Sequence, residues 1–361
     1  MATASGPKIV AVAETILGDI RRRKLRPGDA YLDTAATARL LRVSGSTVNR
    51  ALQLLAQRGV LQRRQRQGTI VLDAGPRPPE AALRRVHLLV REDHLRTEGL
   101  WADGVLLGLQ GALPGTELQF NFRPEVNEAE YVQHLIHDIL GSRQATGLVL
   151  VRSTVASQRL VEASGLPAVV SGSLQPSIRE LPSLDRDQRQ IGRLLAEHLL
   201  RANCRRVIVF MRDRLTPGDH TMLDSALSAL AAADVPLDAI TLRCLPTDRE
   251  AITAAAGDLL ADARGRVGCL CRSEMLARGV DAASKTLKLG GRRQPVLVVA
   301  DSWRERASEV SYPSIETSIA AEQWGAVLGR MLATAARGER PDPYRQLIPV
   351  RLRTGADAHG K

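Results

Sequence analysis

Two different patterns of hydrophobic and polar residues follow each other along the chain. Over residues 9–22, apolar residues recur at the three- and four-residue spacing of one helix face. Two more segments with helical spacing follow, one ending at Leu41 and one over about residues 46–57, which Gly59 stops. A basic stretch over residues 61–71 then predicts a β-hairpin. The first part of the chain therefore predicts three helices and a hairpin.

From residue 86 onward the pattern changes to alternating strands and helices. Apolar, strand-like runs cover residues 86–90, 118–122, 147–151, 168–171, 206–210, 240–244, 267–271 and 296–300. Helical patterns cover residues 99–113, 128–140, 154–164, 188–202, 220–233, 248–263, 273–287 and 319–336. This alternation is typical of an α/β domain with doubly wound parallel sheets. No glycine-rich phosphate motif follows the first strand, which argues against a dinucleotide-binding site.

The net charge of +11 is concentrated in the first domain. Residues 1–73 hold 13 Lys/Arg against five acidic residues, a difference of +8 that leaves +3 for the other 288 residues. This distribution favours a local module that binds a polyanion. Charge alone would not separate DNA from RNA or anionic lipid, so the helix pattern has to decide.

The third predicted helix has the side chains of a DNA-reading helix. Val48, Ala51, Leu52, Leu55 and Ala56 form its apolar stripe, and short polar groups and an arginine lie toward the other side. An ordinary solvated face would contain Glu and Lys, and neither occurs over residues 39–71. The second predicted helix, the turn after it and this third helix predict a winged helix-turn-helix, which is mostly α with a β wing. Such a domain binds double-stranded operator DNA.

We predict DNA contacts from the turn, from the third helix and from the wing, where arginines suit phosphate or minor-groove contacts. The predicted residues are Arg42, Ser44, Ser46, Thr47, Asn49, Arg50, Arg63, Arg64, Arg66, Gln67, Gly68 and Thr69.

The N-terminal residues resemble the GntR family of bacterial transcription regulators. The matching features lie at residues 25–29, 43–48, 51–55, 59–61 and 68–71. The family usually has arginines at three positions where this chain has Ala35, Gly45 and Asn49. The resemblance implies a DNA-binding head over residues 1–73. The composition of residues 74–85 then predicts a Pro- and Ala-rich linker. One alternative stays open, in which the linker forms a short helix that inserts Leu83 into the DNA minor groove.

The remainder resembles the LacI/GalR sensor domain, which has the periplasmic-binding-protein fold. The matching residues are 165–170, 184–185, 192, 196–200, 205–209, 295–301, 314–319, 325, 331–332 and 350–353. The resemblance implies two lobes within residues 86–353 that close on a small molecule, a sugar or related metabolite. The N-lobe would comprise about 86–205 and 319–337, the C-lobe about 206–315 and 338–353, with a disordered tail at 354–361. It also implies a homodimer and, most simply, a repressor.

An effector would bind at the carboxyl ends of the predicted strands. A sugar requires carboxylates and arginines for its hydroxyl groups and an aromatic ring for its apolar face. The effector-binding residues that we predict are Asp93, Trp101, Arg152, Ser171, Arg212, Asp213, Arg272, Ser273, Asp301 and Trp303. Each of them could instead belong to a solvated loop or to the core.

No sequence motif indicates catalysis, a cofactor or a metal. The seven histidines are dispersed, and no nucleophile elbow, zinc motif or P-loop occurs. Cys269 and Cys271 alternate within an apolar run, which indicates a strand and not a metal site. The sequence also lacks an apolar run of about 18 residues and an N-terminal apolar signal core, so we expect a cytoplasmic, nucleoid-associated protein without a membrane partner.

We therefore expect a ligand-responsive transcriptional regulator that is not an enzyme. The alternative is a small-molecule-binding or enzymatic α/β protein with a vestigial DNA-binding head. The sequence leaves open the effector, the operator and the sign of regulation.

Overall fold

The computed structural model describes residues 7–23, 25, 28–57, 60–64, 68–72, 83–91, 103–124, 126–142, 144–263, 265–300 and 312–354. The N-terminal part, the head, contains α1 (Pro7–Arg22), β1 (Ala30–Tyr31), α2 (Thr34–Leu41), α3 (Gly45–Gln57), β2 (Leu61–Arg64) and β3 (Gly68–Val71). Its three strands form an antiparallel sheet in the order β1-β3-β2. The predicted winged helix-turn-helix is therefore confirmed.

The head has its own apolar core and a buried hydrogen bond between two polar side chains. Ile16 and Ile20 of α1 pack with Leu52 and Leu55 of α3, and all four side chains are fully buried. The Tyr31 hydroxyl donates a hydrogen bond to the Asp19 carboxylate at 3.1 Å, which ties β1 to α1.

The larger domain continues the chain with alternating strands and helices. Its first half contains β4 (Arg85–Arg91), α4 (Asp103–Ala112), β5 (Glu117–Arg123), α5 (Glu128–Gly141), β6 (Thr146–Val151), α6 (Val155–Ser164), β7 (Ala168–Ser171), β8 (Ser183–Arg186) and α7 (Gln188–Arg201). Its second half contains β9 (Arg206–Arg212), α8 (Pro217–Ala231), β10 (Ile240–Leu245), α9 (Arg249–Ala261), β11 (Val267–Cys271), α10 (Glu274–Thr286), β12 (Val296–Val299), β13 (Ser314–Thr317), α11 (Ala321–Ala336), β14 (Arg345–Ile348) and β15 (Val350–Arg353). Two short 3₁₀ helices, Leu237–Ala239 and Gly291–Arg293, precede β10 and β12.

These strands form two six-stranded sheets, one in each lobe. The N-lobe sheet has the order β14-β8-β7-β6-β4-β5 and is parallel throughout. The C-lobe sheet has the order β10-β9-β11-β12-β13-β15, and only β15 is antiparallel to its neighbour. Both faces of each sheet carry apolar clusters. In the N-lobe, α4 and α11 cover one face of the sheet and α5 and α6 cover the other. In the C-lobe, α7 and α8 cover one face and α9 and α10 cover the other.

Two elements lie in the lobe opposite to the predicted one. Helix α7, expected in the N-lobe, packs Ile191, Leu195 and Leu199 against Val207 and Met222 of the C-lobe. Strand β14, expected in the C-lobe, pairs in parallel with β8 of the N-lobe. A hydrophobic stripe shows that a helix or strand has a buried side, but it does not identify the sheet that covers this side.

Several short elements and one side chain also differ from the sequence-based expectation. Strands β8, β13 and β14 were not predicted as such, because four-residue strands such as Ser183–Arg186 have no apolar run. Leu83 is 4% exposed and lies in the N-lobe core, so it is not presented for insertion into DNA. Residues 99–102 of the predicted helix 99–113 lie outside the described part of the chain.

All four cysteines lie among the described residues. Cys204, Cys269 and Cys271 are buried, Cys244 is exposed, and all four are free thiols. None of the helices within the described ranges combines the length and apolar character needed to cross a bilayer.

Glycines allow two pairs of helices to pack with their backbones in contact. A Cβ atom at Gly108 of α4 would lie 1.9 Å from the Glu322 carbonyl oxygen of α11, and one at Gly325 would lie 1.9 Å from the Val105 carbonyl oxygen. In the C-lobe, a Cβ atom at Gly192 of α7 would lie 2.1 Å from a carbonyl oxygen of α8. Backbone atoms cannot rotate away as side chains do, so these positions require glycine.

We expect Gly108→Ala to lower the free energy of unfolding by about 1–3 kcal/mol, because the added methyl group forces α4 and α11 apart. The matched control is Gly111→Ala in the same helix, where a Cβ atom meets nothing within 4 Å. This control should be neutral or stabilising by up to about 1 kcal/mol. Urea unfolding of both variants measures the difference, and equal stabilities would contradict the close helix contact.

Candidate functional site

The turn between α2 and α3 is fixed by hydrogen bonds at both helix ends. The Asp33 carboxylate accepts a 2.7 Å hydrogen bond from the Ala36 amide and caps α2. Arg42 adopts a left-handed conformation at φ 53°, and its amide bonds back to the last turn of α2. Ser44 then accepts a hydrogen bond from the Thr47 amide at 3.3 Å, at the start of α3. This geometry sets the direction in which α3 leaves the turn.

Helix α3 buries one side and exposes the other. Val48, Ala51, Leu52 and Leu55 are fully buried. On the opposite side, Ser46, Arg50 and Gln53 are exposed, and Thr47 and Asn49 are half-buried. The Thr47 and Ser46 hydroxyl groups each lie within hydrogen-bond distance of the Ser44 hydroxyl, at 2.7 and 3.1 Å. The hydroxyl groups of Ser44, Ser46 and Thr47 therefore lie together at the start of α3.

The wing brings together only part of its predicted set. Strands β2 and β3 pair Arg63 with Thr69 and Arg64 with Gly68, and Gly68 has a φ of 88° that suits glycine at the bend. The prediction that Thr69 contacts DNA is wrong, because this residue is only 4% exposed. Arg66 and Gln67 lie outside the described residues.

The carboxyl ends of the N-lobe strands are organised by a buried ion pair that the sequence did not reveal. Arg123, at the end of β5, is fully buried and pairs with Glu128 at the start of α5. Its guanidinium also donates to the Val151 carbonyl at 2.6 Å and to the Arg152 carbonyl at 3.2 Å. These bonds hold the end of β6, where Arg152 has a left-handed φ of 49°. Arg123 therefore shapes the backbone that presents Arg152.

Glu128 links this ion pair to the first turn of α6. It accepts hydrogen bonds from the Thr154 hydroxyl at 3.0 Å, from the Thr154 amide at 3.3 Å and from the Ser157 hydroxyl. Burial alone would raise the pKa of Glu128, but the Arg123 guanidinium and these donors hold that pKa below its ordinary value. The carboxylate therefore stays charged inside the lobe.

A second polar cluster lies where the chain first crosses between the lobes. Asp185, at the end of β8, accepts hydrogen bonds from the Ser173 hydroxyl, the Gln188 amide group at 3.1 Å and the Arg186 backbone amide at 2.8 Å. Burial dominates here and raises the pKa of Asp185. Arg186 reaches across to the C-lobe, where it donates to the Ala300 carbonyl at 3.2 Å.

At the carboxyl ends of the C-lobe strands, one carboxylate pairs with two of the arginines that we predicted as effector-binding residues. Asp219, near the start of α8, is fully buried and pairs with Arg212 at 2.9 Å and with Arg272. It also accepts hydrogen bonds from the Thr216 amide and hydroxyl at 2.8 and 2.9 Å. Burial raises the pKa of Asp219, but the two guanidiniums outweigh burial and hold it well below the ordinary range. This network ties β9, β11 and α8 together.

The other predicted effector residues have varied surroundings. Ser171 is buried and accepts a hydrogen bond from the Trp324 indole at 3.2 Å. Ser273 is buried and caps α10, while Asp213 is exposed. Four residues, Asp93, Trp101, Asp301 and Trp303, lie outside the described residues. No group of three metal-ligating side chains occurs within the described ranges.

The two lobes approach each other closely at Gly218. A Cβ atom there would lie 2.5 Å from the Ser173 hydroxyl oxygen of the N-lobe and 3.1 Å from the Gln188 side chain. Gly218 is the second residue of α8, so the start of this helix meets the N-lobe beside the Asp185 cluster. The two strand-end networks thus lie on either side of an interlobe contact.

Sequence reasoning missed the residues that hold these networks together. Arg123 could have been found, since it ends a predicted strand in the same way as Arg152. Asp219 carries no such signal, because an acidic residue near a helix start is more simply a solvated cap.

Comparisons with known proteins agree with both domains. Residues 8–71 match the family described as bacterial regulatory proteins, gntR family. The fold resembles that of the transcriptional regulator CelR in complex with cellobiose, with 18% identity over 88% of this chain and 94% of that chain and a TM-score of 0.64. It also resembles a LacI family regulator from Enterococcus faecium with bound ribose, with 15% identity over 75% and 97% of the two chains and a TM-score of 0.59.

The lac repressor dimer bound to operator and an anti-inducer is a third similar structure, with 14% identity over 75% and 92% of the two chains and a TM-score of 0.59. No curated protein matches the chain in sequence. The matched family and structures are transcriptional regulators and not enzymes. The chain is a transcriptional regulator. It joins a GntR-type DNA-binding head to a domain with the two-lobe fold of LacI-family regulators.

We expect Asp219→Asn to lower the free energy of unfolding at pH 7 by about 3–5 kcal/mol, because two largely buried guanidiniums lose their shared carboxylate. The pKa of Asp219 is lower in the folded than in the unfolded state, so its contribution is complete above the ordinary value of 3.8 and is lost as the pH falls below it. The free energy of unfolding, measured with denaturant, should therefore begin to fall below about pH 4 for the wild type and should fall less for the variant.

Asp224→Asn is the matched control, since Asp224 is an exposed residue of the same helix. This control should remain within about 0.5 kcal/mol of the wild type. A stability of Asp219→Asn equal to that of the control would show that the buried network contributes nothing.

Proposed function

We propose that the protein is a ligand-responsive repressor that binds operator DNA as a homodimer. The head would bind the operator, and a sugar-like molecule would bind between the lobes. The observation that carries this proposal is the combination, in one chain, of an exposed acid-free recognition helix with two lobes whose strand ends carry fixed polar groups.

The head supports DNA binding by its shape and charge. Its exposed residues Ser46, Arg50 and Gln53 lie along one side of α3, a helix that a hydrogen-bonded turn orients. Recognition helices contact base edges with such residues, and basic groups elsewhere in the head would contact phosphates. The excess charge of +8 over residues 1–73 favours association with DNA.

The strand ends support binding of a small polar ligand between the lobes. Arg212 ends β9, and Arg152 and Arg272 directly follow β6 and β11. All three lie at the carboxyl edges of the two sheets, which is where α/β folds bind ligands. CelR was solved with cellobiose and the Enterococcus faecium regulator with ribose, so similar folds hold sugars. Asp93, Trp101, Asp301 and Trp303 complete our proposed ligand set on sequence grounds.

Two edge strands support dimerisation. Strands β5 and β10 each end a sheet, at the edge away from the strands where the chain crosses between lobes. Phe122 of β5 is 45% exposed, Leu242 of β10 is 41% exposed, and Leu107 of α4 is 64% exposed. Apolar residues along unpaired edges are typical of surfaces that a partner covers. A second copy of the chain would also supply the second head that a palindromic operator requires.

We expect the full-length protein to bind its own promoter DNA tightly and with a strong dependence on salt. Asn49→Ala combined with Arg50→Ala should weaken this binding at least about tenfold, because both side chains would lose base contacts. Fluorescence anisotropy with a palindromic duplex and with a duplex that has only one half-site measures affinity and the need for a dimer.

Arg337→Ala is the control, because it removes an exposed arginine of the larger domain. Its affinity for the operator should equal that of the wild type. Unchanged operator affinity of the double variant would refute the assigned recognition helix, and equal affinity for both duplexes would refute binding as a dimer.

We also expect one member of a panel of neutral sugars and nucleobases to stabilise the full-length protein. A ligand at 100 times its Kd raises the unfolding free energy by about 2.7 kcal/mol. Thermal unfolding identifies the ligand, and the DNA affinity measured with it tests the response. The ligand changes DNA binding only if it binds the two lobe arrangements with different affinity.

Gly218→Ala tests whether the ligand binds by closing the two lobes. The added Cβ would meet Ser173 and hinder the observed contact between the lobes. The variant should lose most of the ligand-induced stabilisation. Gly257→Ala, where a Cβ meets nothing within 4 Å, should keep it. Equal responses of the two variants would contradict a role for this interlobe contact.

A further inference from the structure

The exposed side of α3 forms one continuous strip. Ser46, Asn49, Arg50 and Gln53 are spaced at i, i+3, i+4 and i+7, so they lie on the same helix face. Three of them are exposed and Asn49 is half-buried, whereas Val48, Ala51, Leu52 and Leu55 on the other face are fully buried. The strip is therefore the exposed surface of α3 and the one that the proposed DNA binding would turn toward the major groove.

The side chains of this strip have a restricted hydrogen-bonding chemistry. Asn49 and Gln53 end in amides, which match the N6 and N7 atoms of adenine in a two-bond contact. Arg50 ends in a guanidinium, which matches the O6 and N7 atoms of guanine. Carboxylates, which would accept a hydrogen bond from cytosine, do not occur anywhere over residues 39–71.

The hydroxyl groups near the strip contribute less to base selection. The Thr47 and Ser46 hydroxyls both lie within hydrogen-bond distance of the Ser44 hydroxyl, at 2.7 and 3.1 Å. This cluster also caps α3 through the Thr47 amide. A serine hydroxyl can contact any base, so the two amides and the guanidinium carry the selective chemistry.

The spacing of the strip limits the length of DNA that it reads. Asn49 and Gln53 are four residues apart, which is about 6 Å along the helix axis. Successive base pairs are about 3.4 Å apart, so both amides reach base pairs within about two steps. Arg50 lies between them along the axis.

We infer that each operator half-site contains a core of two A·T pairs and one G·C pair within four consecutive base pairs. Asn49 and Gln53 bind the adenines, and Arg50 binds the guanine, all in the major groove. This inference rests on the proposed function and adds the base composition of the DNA that the head selects. It makes Gln53 a specificity-determining residue in addition to the predicted contacts.

The first step of the test is selection of duplexes from a randomised DNA library with the full-length protein. The second is measurement of affinity for the selected duplex after single replacement of adenine by 7-deazaadenine or of guanine by 7-deazaguanine, which removes the N7 acceptor. We expect each replacement in the core to weaken wild-type binding about 5- to 100-fold. The selected core should contain the two adenines and the guanine.

Variants then assign each base to its side chain. Asn49→Ala and Gln53→Ala should each lose sensitivity to 7-deazaadenine at one position, and Arg50→Ala should lose sensitivity to 7-deazaguanine. Arg39→Ala is the control, because this exposed arginine lies on α2 and outside the strip. It should leave the pattern of base sensitivities unchanged. Thermal midpoints of all variants, measured in parallel, should equal that of the wild type.

The outcomes separate this inference from the proposed function. Failure to enrich any duplex would refute DNA recognition itself and, with it, the base assignment. An enriched duplex whose core lacks adenine, or whose binding is unaffected by 7-deazaadenine, would refute only the base assignment. Sensitivities that persist unchanged in Asn49→Ala and Gln53→Ala would refute it as well.

Discussion

A carboxylate can leave water only when cations and hydrogen-bond donors replace its hydration, and both lobes of this protein depend on that exchange. Glu128 is matched by Arg123 in the N-lobe, and Asp219 by Arg212 and Arg272 in the C-lobe. Removal of one partner would leave a buried charge with fewer compensating groups. The networks therefore fix the strand ends through specific hydrogen bonds as well as through apolar packing.

The position of the two networks explains their value for a binding site. Each joins the carboxyl ends of strands to the first turn of a helix: β5 and β6 to α5 and α6 in one lobe, β9 and β11 to α8 in the other. Polar side chains that are held before a ligand arrives lose little conformational freedom when they bind it. The described part of the proposed ligand site, at Arg152, Arg212 and Arg272, is therefore pre-organised within each lobe.

Sequence patterns predicted the local elements of this protein better than their assembly. The head was predictable because its helix spacing, Gly68 and the acid-free helix all indicate one compact motif. The arrangement of the lobes was less predictable. Ile191, Leu195 and Leu199 predict a buried stripe on α7, but they do not indicate which sheet this stripe packs against. The candidate site was likewise predictable only in part. Its position at strand ends identified Arg212 and Arg272. Asp219, which pairs with both arginines, could be recognised only once the fold had brought β9, β11 and α8 together.

The attachment of the head to the larger domain restricts how a ligand can influence DNA binding. Leu83 is buried in the N-lobe, the Thr116 hydroxyl donates to its carbonyl at 2.7 Å, and the next amide, of Arg84, donates to the Ala145 carbonyl at 2.8 Å. This anchor lies at the amino end of β4, whereas the proposed ligand site lies at the carboxyl ends of the strands. The seven residues of β4 separate them by about 23 Å.

A ligand at the carboxyl edge therefore has no direct contact with the anchor, and β4 lies in a sheet packed on both faces. Packed layers of this kind are not continuously deformable and change by discrete shifts of whole units. The signal most consistent with these constraints is rotation of one lobe against the other, at contacts such as Gly218 with Ser173 and Arg186 with Ala300. In the proposed dimer, that rotation would alter the spacing of the two anchors, and hence of the two recognition helices, without any change inside the head.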